Sequence, residues 1–383
     1  MIGFKNWLMI VMLLTVSLAS VAGEISLRDK IGQMLIIGFE GKHVDKNSPI
    51  IKAINENNIG GVILFDYNYR TNTFDKNIAN PEQLKKLNQD LQSANTAANK
   101  KYHRPQLPLL ISIDHEGGAV NRLKESDGFP ATISAAETGK MNTNQAEQIA
   151  ESMSKTLEDA GFNLNFAPAL DVDTNPTNPI ISQLGRSFSA KPSEVARFAG
   201  IYSRHFLHHA VQCAYKHFPG HGSAKTDSHL TFVDVTDSWQ ALELEPYKQL
   251  LGREDSCGMV MTAHIVNRLL DESGLPATLS HKMLTELLRE RLQFEGVIIT
   301  DDMQMKAISE HFSLEQALTL AINAGADMFI FGNQLTDKIQ DPKEVIDLIE
   351  AKVKSGEINP SRIDKAYEHI TAFKNSIQRN HRS

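Results

Sequence analysis

"GVIITDDM", residues 296–303, holds the key to the architecture. Val297, Ile298 and Ile299 are apolar on consecutive positions, and the run stops at two aspartates. A strand with one solvated face alternates apolar and polar residues, whereas an unbroken apolar run belongs to a strand covered on both faces, as in a parallel sheet. Seven further runs read the same way: "QMLIIGF" (33–39), "GVILF" (61–65), "PLLISI" (108–113), "FNLNFAPALDV" (162–172), "VQCAYKHF" (211–218), "GMVMTAHIV" (258–266) and "ADMFIFGN" (326–333).

Helical patterns separate them. "NPEQLKKLNQDLQSANTAAN" (80–99) has Asn80 as an N-cap and Pro81 in its first turn. "TNQAEQIAESMSKTLEDAG" (143–161) ends on Gly161, a natural helix stop. "KPSEVARFAGIYSRHFLHHA", "SHKMLTELLRERLQ" and "SLEQALTLAINAGA" follow the same scheme. Strand alternating with helix eight times predicts an α/β fold, a single (β/α)8 TIM-type barrel. The competing open, doubly wound sheet would carry a G-x-G-x-x-G turn after an early strand, and the chain has none. After the eighth run, residues 342–378 read as two amphipathic helices, with no room for a second β-sandwich domain. Residues 66–80 read as a solvated loop at a strand end.

The N-terminus reads differently. "MIGFKNWLMIVMLLTVSLASVAG" has one lysine, a short apolar run and then Ser20-Val21-Ala22, the pattern of a secretory signal peptide cleaved after residue 22. The run is short for a membrane span. The expected organisation is a signal peptide over 1–22 and a catalytic barrel with C-terminal helices over 23–383, in a periplasmic or secreted protein. Loss of Lys5 with the leader takes the basic count from 39 to 38 against 46 acidic residues, and the net charge from -7 to -8. With no basic block or aromatic-basic stripe, nucleic acid is excluded as a partner.

Cys213 and Cys257 lack a C-x-x-C pattern, which argues against a structural zinc or a redox centre. They fall toward the N-terminal ends of neighbouring parallel strands, where Cα atoms lie within disulfide reach. An oxidising compartment would allow the bond. The alternative is a pair of buried thiols packed as small apolar residues.

In such barrels chemistry sits at the C-terminal ends of the strands. Asp114, Asp171, Lys216, His217, His264, Asp301 and Asp302 all fall there. "KHFPGHGSAKTDSHL" (216–230) follows strand five and carries His217, His221 and His229. His217 and His221 have the i, i+4 spacing of a helical zinc pair, but Pro219, Gly220 and Gly222 break a helix. A zinc-dependent hydrolase built on His217, His221 and His229 stays open as an alternative. The stretch reads better as a strand end followed by a hinged loop closing in Asp227-Ser228-His229. An aspartate beside a histidine orients the imidazole and stabilises its charged form, so His229 can give and take a proton near neutral pH. No G-x-S-x-G elbow supplies a serine nucleophile. Asp301 and Asp302 are the available carboxylates, and a carboxylate nucleophile facing a proton donor is the logic of retaining glycoside hydrolysis.

"KHFPGHGSAKTDSH", together with "IDHEGGAVNRL", "NFAPALDVDTNP", "GRSFS", "MTAH" and "ITDDMQM", resembles the β-N-acetylglucosaminidases of glycoside hydrolase family 3, the NagZ-like group, in order and across the mature chain. The resemblance implies a retaining exo-enzyme that releases terminal β-linked GlcNAc from peptidoglycan fragments or other GlcNAc-containing oligosaccharides. It implies Asp301 as nucleophile and His229 with Asp227 as the acid/base dyad. Asp114, Arg122, Arg186, Lys216 and His217 match residues that hold the terminal sugar's hydroxyls. Gly117 and Gly118 would let the backbone approach the ring. No metal or organic cofactor is implied, and a monomer is expected. Ala119 stands where the family commonly has Arg, a departure expected to alter a salt bridge or a rim contact. A catalytically silent cell-wall glycan-binding protein is the non-enzymatic alternative.

Overall fold

The computed structural model describes residues 25–335 and 339–380, so the leader read at 1–22 lies outside the described residues. Eight parallel strands close into a barrel: β1 Leu35–Gly38, β2 Gly61–Leu64, β3 Leu110–Ile113, β4 Leu164–Asn165, β5 Gln212–Phe218, β6 Met259–Thr262, β7 Val297–Asp302 and β8 Met328–Phe331. Each strand pairs with its neighbours in chain order, and β8 closes on β1 with Leu35 opposite Phe329. Almost every strand residue is buried, which is why the runs show no alternation.

The helices expected from the sequence are present as Pro81–Lys101, Thr143–Ala160, Pro192–His208, Lys282–Arg291 and Leu314–Ala324, with Pro342–Ser355 and Pro360–Asn380 at the C-terminus. Asn80 and Asn142 cap theirs through side-chain oxygens, and Gly161 ends its helix at φ +85°. Leu27–Gln33 and Pro49–Asn57 are further helices that the run-by-run reading passed over.

Four local expectations need correction. The fourth run is a strand for two residues only, because Pro168 has no N–H to donate; pairing resumes briefly where Leu170 N–H donates to the Lys216 carbonyl at 2.6 Å. The sixth run splits, with Ile265–Val266 leaving the barrel to pair with Val233–Asp234 in a two-stranded parallel sheet. Between β5 and β6 no long helix intervenes; a long loop leads to a 3-10 turn, Ala241–Leu244, and a short α-helix, Glu245–Leu250. The loop at 66–80 is solvated only in part, since Lys76, Asn77 and Ile78 are buried.

The C-terminal helix plugs the end of the barrel opposite the site. Lys374 is buried and donates to Gln33 Oε1 and the Gly60 carbonyl, both at 2.7 Å. Asp327, fully buried before β8, gathers Arg289, Arg362 (2.5 Å), His369 (3.1 Å) and the Ile298 N–H (2.9 Å). Near this end Cys213 of β5 and Cys257, just before β6, form a disulfide with Cα atoms 4.9 Å apart. The thiol alternative is thereby set aside.

Candidate active site

One cavity opens at the C-terminal ends of the strands. Asp114, Arg122, Arg186, Lys216, His217, His229, Asp301 and Asp302 line it, so seven of the eight residues assigned to catalysis or sugar binding converge there. The eighth, Asp227, sits beside His229, accepting from the backbone N–H (2.8 Å) and bonding the ring Nδ1 (2.7 Å).

The two aspartates ending β7 are not equivalent. Burial favours the acid form of Asp301, but His264, His217 and His229 around it outweigh that effect, and the Asp302 N–H donates to Oδ1 at 2.8 Å. The Asp301 carboxyl is therefore held below the ordinary aspartate range. Burial pushes Asp302 up to about 6, with its Oδ1 accepting from the Gln304 N–H at 3.0 Å. His264 steadies this strand end: Nδ1 meets Thr278 Oγ1 at 2.7 Å, and Nε2 donates to the Asp302 carbonyl at 3.0 Å.

His229 is 43% exposed, on the loop after β5. Desolvation opposes its charging, but the hydrogen bond to Asp227 and the charge of Asp301 outweigh it and raise its pKa above the ordinary histidine value. The cavity thus pairs an ionised carboxylate with an imidazole biased toward carrying a proton, the separation of pKa values that marks acid/base assignments.

The floor is a buried charge network. Lys216 bonds Asp114 and Glu116 (2.5 Å). Arg186 clasps Glu116 through Nε (2.8 Å) and Nη2 (2.6 Å), and Nη2 also lies 3.2 Å from His217 Nε2. His217 Nδ1 meets Asp171 at 2.6 Å. Because Arg186 can only donate, His217 carries its proton on Nδ1 and accepts at Nε2. Burial disfavours a charged Glu116, yet Arg186 and Lys216 hold it well below the usual carboxylate range. The sequence reading did not single out Glu116. Its signal was a buried acid opposite two basic residues more than a dozen positions away, which no local pattern reports.

Two expectations change. The histidines of the zinc reading do not converge: His217 uses both ring nitrogens on Asp171 and Arg186, His221 Nε2 meets Ser228 at 3.2 Å, and His229 belongs to Asp227. Among the described residues no group of three or more His, Cys, Asp and Glu side chains could hold a metal ion. The glycines at 117 and 118 serve the protein's own packing. Both have positive φ, and a Cβ would fall 2.2 Å from the Ile133 carbonyl oxygen or 2.6 Å from Ser134 Cβ. Ala119 is exposed on the same turn.

A buried ion-pair floor, a strand-end carboxylate held ionised and an imidazole on the same cavity are the groups that retaining glycoside hydrolysis on a barrel requires. Comparison with known proteins narrows this. Residues 26–373 match the model of the glycosyl hydrolase family 3 N terminal domain, and the chain belongs to that family. The beta-hexosaminidase of Idiomarina loihiensis is 34% identical over 313 residues, covering 80% of this chain and 84% of that protein. Beta-hexosaminidase A of Pseudoalteromonas piscicida is 31% identical over 344 residues, covering 85% of this chain. Among solved structures, a glycoside hydrolase family 3 beta-N-acetylglucosaminidase from Paenibacillus superposes with a TM-score of 0.81 at 33% identity over 92% of this chain. The chain spans 55% of the Pseudoalteromonas protein and 63% of the Paenibacillus chain.

Proposed function

We propose that this chain is a retaining exo-β-N-acetylglucosaminidase acting on GlcNAc-terminated oligosaccharides, peptidoglycan fragments or other GlcNAc glycans, outside the cytoplasm. The observation that carries the reading is the placement of Asp301 and His229 on one cavity with their proton affinities driven apart. Ionised Asp301 attacks the anomeric carbon while protonated His229, oriented by Asp227, donates to the departing glycosidic oxygen. The C–O bond to the leaving group breaks as the C–O bond to Asp301 forms. Neutral His229 then takes a proton from water, which displaces Asp301 and releases GlcNAc with its configuration retained. Asp114, Arg122, Lys216 and Arg186 present charged groups to the ring hydroxyls, where charge-assisted hydrogen bonds fix its orientation, and His217, whose nitrogens are taken by Asp171 and Arg186, lines the cavity beside them. The leader over 1–22 supports export.

The test is hydrolysis of a chromogenic β-GlcNAc glycoside with and without a chelator, with product anomers followed by NMR. The expected result is β-GlcNAc as first product, unaffected by chelation, and loss of at least ~1,000-fold in Asp301→Ala. α-GlcNAc as first product would refute the retaining mechanism. Absence of turnover in the intact protein would favour the glycan-binding alternative.

A further inference from the structure

The loop following β2 spends exposed aromatic surface at the cavity mouth. Tyr69 is 58% exposed and lines the cavity; Phe74, 63% exposed, lies on the same loop outside the lining. Half-buried Tyr67 stands between them, with its ring centroid 4.8 Å from each and edge-on to both. Isolated exposed apolar residues need no explanation, but three rings in one row that starts in the site form a patch, and such patches mark binding surfaces.

The row is held in place. Asn68 and Thr73 exchange backbone hydrogen bonds at 2.8 and 3.3 Å, and Asn68 Nδ2 donates to Glu40 at 2.9 Å. The Tyr67 hydroxyl donates to Asn72. Lys124 Nζ lies 3.2 Å from the centre of the Phe74 ring and 2.8 Å from Asp66. Rings fixed before a ligand arrives lose little entropy on binding it.

Charge selects the occupant. Arg70 faces Glu40 at 3.6 Å, Lys124 faces Asp66, and Arg122 lies between Asp66 (3.7 Å) and Asp114 (3.8 Å). Among the described residues each of these cations already has a carboxylate, so the surface suits a neutral ligand. A β-linked GlcNAc ring presents axial C–H groups that pack on the electron-rich face of an aromatic ring. A muramyl peptide would bring carboxylates, and among the described residues no uncommitted cation stands beside the row to receive them.

We infer that Tyr69, Tyr67 and Phe74 form a platform for the sugars on the leaving-group side of the cleaved bond, and that the substrate is a neutral β-linked GlcNAc oligosaccharide. The inference rests on the hydrolase reading above. The experiment compares the intact protein with Tyr69→Ala, Phe74→Ala and Tyr69→Phe on three substrates: chitotriose, GlcNAc β-fluoride, whose leaving group is too small to reach the row, and a GlcNAc–muramyl peptide. Either alanine variant should lower kcat/KM for chitotriose, relative to the fluoride, by about tenfold, mainly through KM, and Tyr69→Phe should restore it. An unchanged ratio, a Tyr69→Phe as poor as Tyr69→Ala, or a larger loss on the muramyl peptide than on chitotriose would overturn the platform. An intact protein that fails to cleave even the fluoride would instead overturn the hydrolase reading.

Discussion

Glu243 offers a sharp test of the electrostatics beneath the loop that carries His229. It is fully buried in the short turn Ala241–Leu244, and its Oε2 accepts the Gly222 N–H at 2.9 Å. Gly220 packs so closely that a Cβ there would lie 2.7 Å from Glu243 Cβ. Among the described residues no cation bonds this carboxyl, and burial pushes it up to about 7 from an ordinary 4.5. The folded protein therefore holds a proton that the unfolded chain has released between those values. Stability from this residue is complete below pH 4.5 and is lost as pH rises through about 7. The loss amounts to about 3 kcal/mol. Glu243→Gln keeps an oxygen for the Gly222 N–H and removes the titration. Urea unfolding across pH should show the variant and the parent nearly equal near pH 4, with the variant gaining to about 3 kcal/mol by about pH 8.5. Taking the difference between the two proteins cancels the other titrating groups. A gap independent of pH, or a variant weaker than the parent at the alkaline end, would refute the reasoning.

Replacing His229 by Ala should slow glycosides with poor leaving groups by roughly 100–10,000-fold and activated ones far less; equal losses across a leaving-group series would remove the general-acid role. Removing the disulfide as Cys213→Ala with Cys257→Ala frees a 44-residue loop in the unfolded chain. Chain entropy puts the loss at up to about 4 kcal/mol, which calorimetry should register as a lower Tm with kcat/KM retained at room temperature. On the outer helices, His209 bridges Glu151 (3.0 Å) and Glu158 (2.7 Å). Desolvation opposes its charging, but these carboxylates outweigh it and raise its pKa. The stabilisation is complete below the ordinary histidine value and fades as pH rises through the folded one, so His209→Gln should cost about 1 kcal/mol in acid and less in alkali. A pH-independent cost would exclude the ion pairs.

The deepest link between fold and chemistry is that β3, β5 and β7 end in charge. Asp114 after β3 and Lys216 on β5 meet above the packed barrel interior, while Asp301 ends β7 on the same rim. The Lys216–Glu116–Arg186 network pins the cavity floor, so the half-exposed His229 loop can complete the site without carrying its stability.

The sequence by itself determined the barrel and most of its mouth. Strands covered on both faces must be apolar on consecutive positions, so eight such runs separated by helical patterns sufficed, and the polar residues closing each run marked the functional face. Pairing of Cys213 with Cys257 was legible as a possibility, because strand order makes their strands neighbours. What each polar side chain touches was decided only by the tertiary structure. The spacing of His217, His221 and His229 admits zinc, but ring directions are set by Asp171, Arg186 and Ser228, two of which lie far away in the chain. Glu116 looked like an ordinary loop acid until Arg186 and Lys216 closed on it. Gly117 and Gly118 looked like room for a ligand, and the segment at Ile133–Ser134 fills that room. Local sequence carries periodicity and turn chemistry, whereas ion pairs and proton affinities depend on burial and on partners that only folding brings together.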